Sequence, residues 1–280
     1  MATFQFISGL PRSGSTLLAA ILRQNPRFHA GMSSSLCPLV TGAMNIMAGE
    51  GHALISDARR ESVLRGLFAS WAAGLPADAV VFDTNRLWTA RLPALLKLFP
   101  DAKIICMVRN VAAIMDSVER LLRANPLLPA RLFSDDERAN IYTRTEALSQ
   151  RNRLVGGPWT SLKEAYYGLD AGSLLIVEYD FLARAPRKVL SLIYDFIDEE
   201  PFAHDFDNIV YDEPDFDEEL RMPGLHRVRP RVTFEPRATV LPHDLYERFS
   251  AQSFWANGPA SRAHVIARAK PTVVPIARMA

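Results

Sequence analysis

The sequence predicts an α/β fold: a parallel sheet flanked by helices, built as a single domain. Three observations carry that reading. Short apolar runs at 4–8, 79–82, 104–108 and 174–177 have the length and continuity of strands buried on both faces. Helical periodicity fills the intervals between them. The first run passes through a glycine-containing turn straight into a helix. That arrangement aims backbone N–H groups and a helix dipole at an anion.

The elements follow in order. Residues 3–8 form the first strand, and 17–22 the helix after the turn. The turn has Gly9 and Gly14 at the spacing of a nucleotide P-loop. It departs from that motif at Ser15, which stands where the motif requires Lys. The nearest cation is Arg12, on the turn itself. The loop is therefore expected to hold a phosphate-like group, but it lacks the lysine that bridges the β- and γ-phosphates of a nucleoside triphosphate. A helix over 58–73 carries Val63, Leu64, Leu67, Phe68 and Trp71 at helical spacing. The strand at 79–82 leads to Asp83 and Arg86, and a short helix over 92–99 stops before Pro100. After the strand at 104–108 come helices over 111–123 and 136–154. After the strand at 174–177 comes a helix over 186–197, with Pro186 in its first turn. Ligands of such sheets bind beyond the carboxyl ends of the strands. The glycine turn, Asp83, Arg86 and Arg109 all follow strands, so they are expected on one rim.

The last third differs. Acidic residues crowd the chain from Asp195 to Glu219, and a basic stretch follows through Arg221, Arg227, Arg229, Arg231 and Arg237. The acidic run reads as solvated surface. Residues 1–262 are taken as the domain and 263–280 as a tail, either disordered or packed on a partner subunit.

Composition narrows the function. Basic and acidic residues number 32 and 31, for a net charge of +1. That near balance argues against a nucleic-acid or membrane-surface role, though not against a local basic pocket. No run is long and apolar enough to span a membrane, and no secretory leader is read at the N-terminus. Cys37 and Cys106 are far apart in sequence and form no metal-like pair, so a cytoplasmic, reducing compartment is expected. No cluster of His, Cys and carboxylates has metal-ligand spacing. The first turn lacks the Gly-x-Gly-x-x-Gly of a dinucleotide dehydrogenase.

The string Leu10-Pro11-Arg12-Ser13-Gly14-Ser15-Thr16-Leu17-Leu18 resembles the 5′-phosphosulfate loop of the sulfotransferase family, in the form found in its bacterial and tyrosylprotein branches. A second match lies at residues 103–117. A strand-like run ends at Arg109, and Ser117 follows eight residues later. The family holds the 3′-phosphate of its donor with such a pair. A third is the strand with Tyr179-Asp180-Phe181-Leu182, similar to a family segment whose tyrosine lies near the adenine.

The resemblance implies 3′-phosphoadenosine 5′-phosphosulfate as donor, adenosine 3′,5′-bisphosphate as product, and no metal. Ser13, Gly14, Ser15, Thr16 and Leu17 would supply N–H groups and hydroxyls to the 5′-phosphate. Arg12 would meet the charge that develops on the bridging oxygen. Arg109 and Ser117 would bind the 3′-phosphate, with Tyr179 by the adenine. The late basic loop, with Arg227 and Val228, would close over the nucleotide.

The base is less direct. The small-molecule branch uses a His after a central strand, where this chain has Asp83-Thr84-Asn85-Arg86. The tyrosylprotein branch uses a Glu, and counting from Arg12 reaches Ser33 instead. Asp83 is the expected base, with His52 in reserve and Ser33 and Arg86 near the acceptor. An Asp83–Arg86 ion pair shaping the pocket is the competing view of those two residues. The acceptor is a hydroxyl or phenol, on a small molecule or a peptide, and homo-oligomerisation stays open. The alternatives are a P-loop kinase-like phosphotransferase and a non-catalytic nucleotide-binding regulator.

Overall fold

The computed structural model describes residues 2–49, 54–211, 217–218, 221–256 and 261–267. His52 lies outside them, as do residues 212–216 and 219 of the acidic run and residues 268–280 of the expected tail.

In chain order β1 (Thr3–Gly9) leads to α1 (Ser15–Leu22), β2 (Phe28–Ala30), α2 (Leu36–Met47) and α3 (Asp57–Trp71). Then come β3 (Val80–Thr84), α4 (Leu92–Leu98), β4 (Ile104–Val108), α5 (Val111–Ala124), α6 (Asp135–Arg138), α7 (Ile141–Ser149) and α8 (Gly156–Tyr167). β5 (Leu174–Glu178), α9 (Tyr179–Arg184), α10 (Pro186–Ile197), α11 (His243–Ser250) and β6 (His264–Ile266) complete the order. The six strands form one sheet in the order β2-β3-β1-β4-β5-β6, and every pairing is parallel.

Strand side chains alternate between two cores, as the pleat requires. Phe4, Phe6, Val81, Ile104, Cys106, Leu174 and Ile176 face one core with Phe68, Trp88, Val111 and Phe249. Ile7, Val80, Phe82, Ile105, Met107, Leu175 and Val177 face the other with Leu18, Ile21, Val189 and Ile193. Both faces are covered, which is why these strands read as continuous apolar runs.

Several expectations change. The helix expected over 136–154 is two helices, because the Asn140 side chain caps α7 and accepts from the N–H groups of Tyr142 at 2.9 Å and Thr143 at 3.1 Å. Asparagine favours that cap position over a helix interior. In α3, Leu64 and Phe68 are buried, but Val63 and Trp71 of the expected apolar face are exposed. The segment assigned to the tail from 263 contains β6, whose residues pair with Leu175, Ile176 and Val177. Among the described residues no helix is long and apolar enough to cross a membrane.

The chain between α10 and α11 has little regular structure but is tied down. Ile209 N–H donates to the Pro230 carbonyl at 2.6 Å, and Val232 N–H to that of Phe206 at 2.8 Å. Met222, Leu225 and Val232 are buried.

Candidate active site

The glycine turn between β1 and α1 is held against β4. Gly9 has φ +105°, and a Cβ there would fall 2.1 Å from the Met107 carbonyl oxygen, so only glycine fits the strand contact. Leu10 N–H donates to that same carbonyl at 2.8 Å, and the Ser13 hydroxyl donates to it at 2.8 Å while also meeting the Leu10 carbonyl. Ser13 is fully buried. Its hydroxyl therefore braces the turn rather than offering itself to a phosphate, a correction to the role expected for that side chain. Gly14 has φ +90° and precedes α1 without a side-chain cap, and the first turn of α1 has no acidic residue. The first-turn N–H groups of Ser15, Thr16 and Leu17 meet no competing anion of their own, and these residues line a cleft at the rim of the sheet.

Arg12 sits on that turn at φ 56°, and its Nε–H donates to the Ser117 hydroxyl at 3.1 Å. Burial, and next the charge of Arg109, pushes its pKa down to about 10. Arg109 follows β4 and lies with its guanidinium carbon 4.6 Å from the centre of the Tyr179 ring. Its Nε is 3.8 Å from Asp180 Oδ1. Those two atoms are buried, and neither has a hydrogen-bond partner among the described residues. Tyr179, the first residue of α9, packs on Gly14 so closely that a Cβ there would come within 2.6 Å of the ring.

This cluster brings Arg12, Gly14, Ser117, Arg109 and Tyr179 together from three adjacent strand ends. It fits a doubly anionic nucleotide end. Two guanidiniums share a buried space, one keeps an orphaned donor, and an aromatic ring lies alongside.

Asp83, expected as the base, is not in the cleft. β3 continues through Thr84, so the alternation turns Asp83 inward beneath the sheet. It is 2% exposed. Its Oδ1 accepts from Trp88 Nε1–H at 2.7 Å, and its Oδ2 accepts from the Ser34 hydroxyl. Burial raises its pKa while these two hydrogen bonds pull the other way. Both oxygens are occupied by structural partners, and no ion pair joins Asp83 to Arg86 among the described residues. Arg86, Thr84 and Ser33 do line the cleft, on the flank opposite Tyr179.

The groups that sequence reasoning missed are His226 and Asp217. His226 lines the cleft. Its Nδ1 is 2.6 Å from Asp217 Oδ1, and its backbone N–H donates to Oδ2 at 2.9 Å. Asp217 is 5% exposed. Facing a carboxylate, Nδ1 is the nitrogen that carries the ring proton. Burial lowers the His226 pKa; Asp217 opposes that shift, and the charges of Arg12 and Arg86 reinforce it. Nothing in the local sequence marks the pair, since the two residues lie nine positions apart with no motif joining them.

Arg227 and Val228 both line the cleft, Arg227 exposed and Val228 packed on the core. Arg229 and Arg237 bind Glu235 at 2.5 and 3.6 Å, and Arg231 binds Asp207 at 2.8 Å. The basic stretch is thus largely neutralised by its own neighbours.

A sequence model described as the Sulfotransferase family matches residues 5–204. The chain belongs to that family. Protein-tyrosine sulfotransferase 1 of Danio rerio is 24% identical over 201 residues, covering 69% of this chain and 52% of that protein. The present chain thus spans about half the length of that relative. The sulfotransferase domain of the Synechococcus PCC 7002 olefin synthase shares the fold, with a TM-score of 0.51 and 19% identity over 92% of this chain and 98% of the other. A sulfotransferase from Alicyclobacillus acidocaldarius gives a TM-score of 0.49 at 19% identity, over 79% and 90% of the two chains. The expected family and the single-domain parallel sheet both stand. The family match stops at residue 204, so the wall carrying Asp217 and His226 lies beyond it.

Proposed function

We propose that this protein moves a sulfuryl group from 3′-phosphoadenosine 5′-phosphosulfate to a hydroxyl or phenol. The observation that carries the reading is the convergence of Arg12, Ser117 and Arg109 beside the N-terminus of α1. It offers two places for anionic groups, the N–H groups of the first turn of α1 and the Arg109–Ser117 cluster, on one cleft. The donor supplies the sulfuryl group: as the acceptor oxygen bonds sulfur, the bond from sulfur to the phosphate oxygen breaks and its electron pair goes to that oxygen.

The chain's own residues do the rest. The first turn of α1 holds the 5′-phosphate by its N–H groups. Arg109 and Ser117 hold the 3′-phosphate, and Tyr179 flanks the base. Arg12 turns from Ser117 towards the bridging oxygen, where negative charge grows as the reaction proceeds. His226 Nε2 takes the acceptor's proton, with Asp217 fixing the tautomer and offsetting the imidazolium charge. Arg227 and Val228 close the cleft over the nucleotide. The two buried thiols, Cys37 and Cys106, support a reducing, cytoplasmic setting.

The kinase alternative is weakened by Ser15 in the lysine position. The regulator alternative rested on a missing base, which the His226–Asp217 pair supplies. Calorimetric binding of adenosine 3′,5′-bisphosphate, with ATP and AMP alongside, tests the donor. Tight binding of the bisphosphate and weak binding of the other two is expected. Tight ATP binding with no preference for the 3′-phosphate would overturn the reading.

A further inference from the structure

Arg86 differs from the other arginines of the cleft. Arg229 and Arg237 share Glu235, and Arg231 has Asp207. Arg109 has Asp180, Arg12 has Ser117, and Arg227 is exposed to water. Arg86 has no ion pair and no hydrogen bond among the described residues. Burial lowers its pKa, and no carboxylate among the described residues pairs with it. Arg86 is half-buried, and a guanidinium partly withdrawn from water without a counter-ion is costly, a cost that a ligand oxyanion would offset.

Its neighbours are polar and pre-arranged. Thr84 lines the same wall, and its hydroxyl is buried without a hydrogen-bond partner among the described residues. Ser33 lines it too. The segment carrying Ser33 is pinned to the end of β3, because Ser34 N–H donates to the Thr84 carbonyl at 3.0 Å and Asn85 Nδ2 to the Ser34 carbonyl at 3.3 Å. Met32 N–H donates to the Tyr211 hydroxyl at 2.6 Å, so both ends of this short stretch are fixed.

The strand order separates this subsite from the nucleotide. Arg109 follows β4, and Ser117 and Tyr179 belong to α5 and α9, on one side of β1. Thr84 ends β3 and Arg86 follows it by two residues, on the other. The donor's charges already have Arg12, Arg109 and the α1 N-terminus to meet them. His226 lines the same cleft and feels the charges of both Arg12 and Arg86.

The geometry points to an acceptor that is a hydroxy acid: its carboxylate on the Arg86 fork with the Ser33 and Thr84 hydroxyls, its hydroxyl between Arg12 and His226. Guanidinium and carboxylate match in a paired, planar contact. This inference rests on the sulfuryl-transfer reading for the other half of the cleft.

The test needs no turnover. Protein saturated with adenosine 3′,5′-bisphosphate is titrated calorimetrically with matched pairs: 4-hydroxyphenylacetate and its amide, 10-hydroxydecanoate and its amide, glucuronate and glucose. For at least one pair the carboxylate should bind about tenfold tighter or more. That preference should vanish in Arg86→Met and persist in part in Arg86→Lys, with bisphosphate affinity unchanged in both variants. Retained bisphosphate binding also reports that the variants are folded. The inference is overturned if no carboxylate is preferred, if the preference survives Arg86→Met, or if Arg86→Met weakens the bisphosphate, which would place Arg86 in the donor site. Wild-type protein that fails to bind the bisphosphate would instead sink the donor reading itself.

Discussion

The wall that carries Arg12, Arg109 and Tyr179 hangs from the ends of β1, β4 and β5, whereas the wall that carries His226 hangs from the chain between α10 and α11. On the first wall each functional group sits within a residue or a helix turn or two of a strand end, so the sheet sets its position. On the second, position comes from long-range ties: the Ile209–Pro230 and Phe206–Val232 hydrogen bonds, the buried side chains of Met222 and Leu225, and the Asp217 carboxylate. The difference separates two kinds of precision. On the proposed reading, donor binding is built by local geometry, and proton transfer by packing between distant segments.

Substitutions can break the two walls separately. Arg12→Ala should have the largest effect, lowering kcat by about 10³-fold while leaving bisphosphate affinity within a few-fold, because its contact strengthens as charge develops. Steady-state kinetics set beside calorimetry measure that split; equal losses in both would return Arg12 to simple donor binding. His226→Gln should lower kcat by about 10²-fold with donor affinity intact. In the wild type the base must be neutral, and burial holds its pKa below the usual histidine value. The acid limb of kcat/KM should therefore have its midpoint below about pH 6.5. Asp217→Asn removes the group that raises this pKa, and the limb should move further to acid. A limb that stays in place in both variants would take the proton away from His226. Arg109→Ala should act on the other wall, weakening the bisphosphate by about 2–3 kcal/mol with a smaller change in kcat. A normal bisphosphate affinity in that variant would remove Arg109 from the 3′-phosphate.

The donor wall was largely legible in the sequence because its signals are short. A strand, a glycine turn with Ser15 in place of Lys, and an Arg–Ser pair eight residues apart can be read without knowing what the chain touches elsewhere. Asp83 failed for a local reason with a tertiary cause. The apolar run stops at Phe82, but the strand continues through Thr84, and Trp88 and Ser34 then claim both carboxylate oxygens. The predicted helix over 136–154 failed where Asn140 prefers a cap. His226 stood in plain view beside Arg227. Its partner could not be chosen from the many carboxylates between Asp195 and Glu219, since that choice is made by packing rather than by spacing.

The short edge strand His264–Ile266 has a consequence for how His226 is kept in place. By pairing with Leu175–Val177, it makes the chain from β5 to β6 an excursion that leaves the sheet and returns beside its point of departure. The ties at 206–209 and 230–232 close a smaller ring inside the larger one, and His226 lies on the smaller ring. Confining a segment at both ends removes conformational freedom before any ligand arrives, and a shorter ring retains less to lose. If His226 is the base, the acceptor then has less of that freedom to remove on binding.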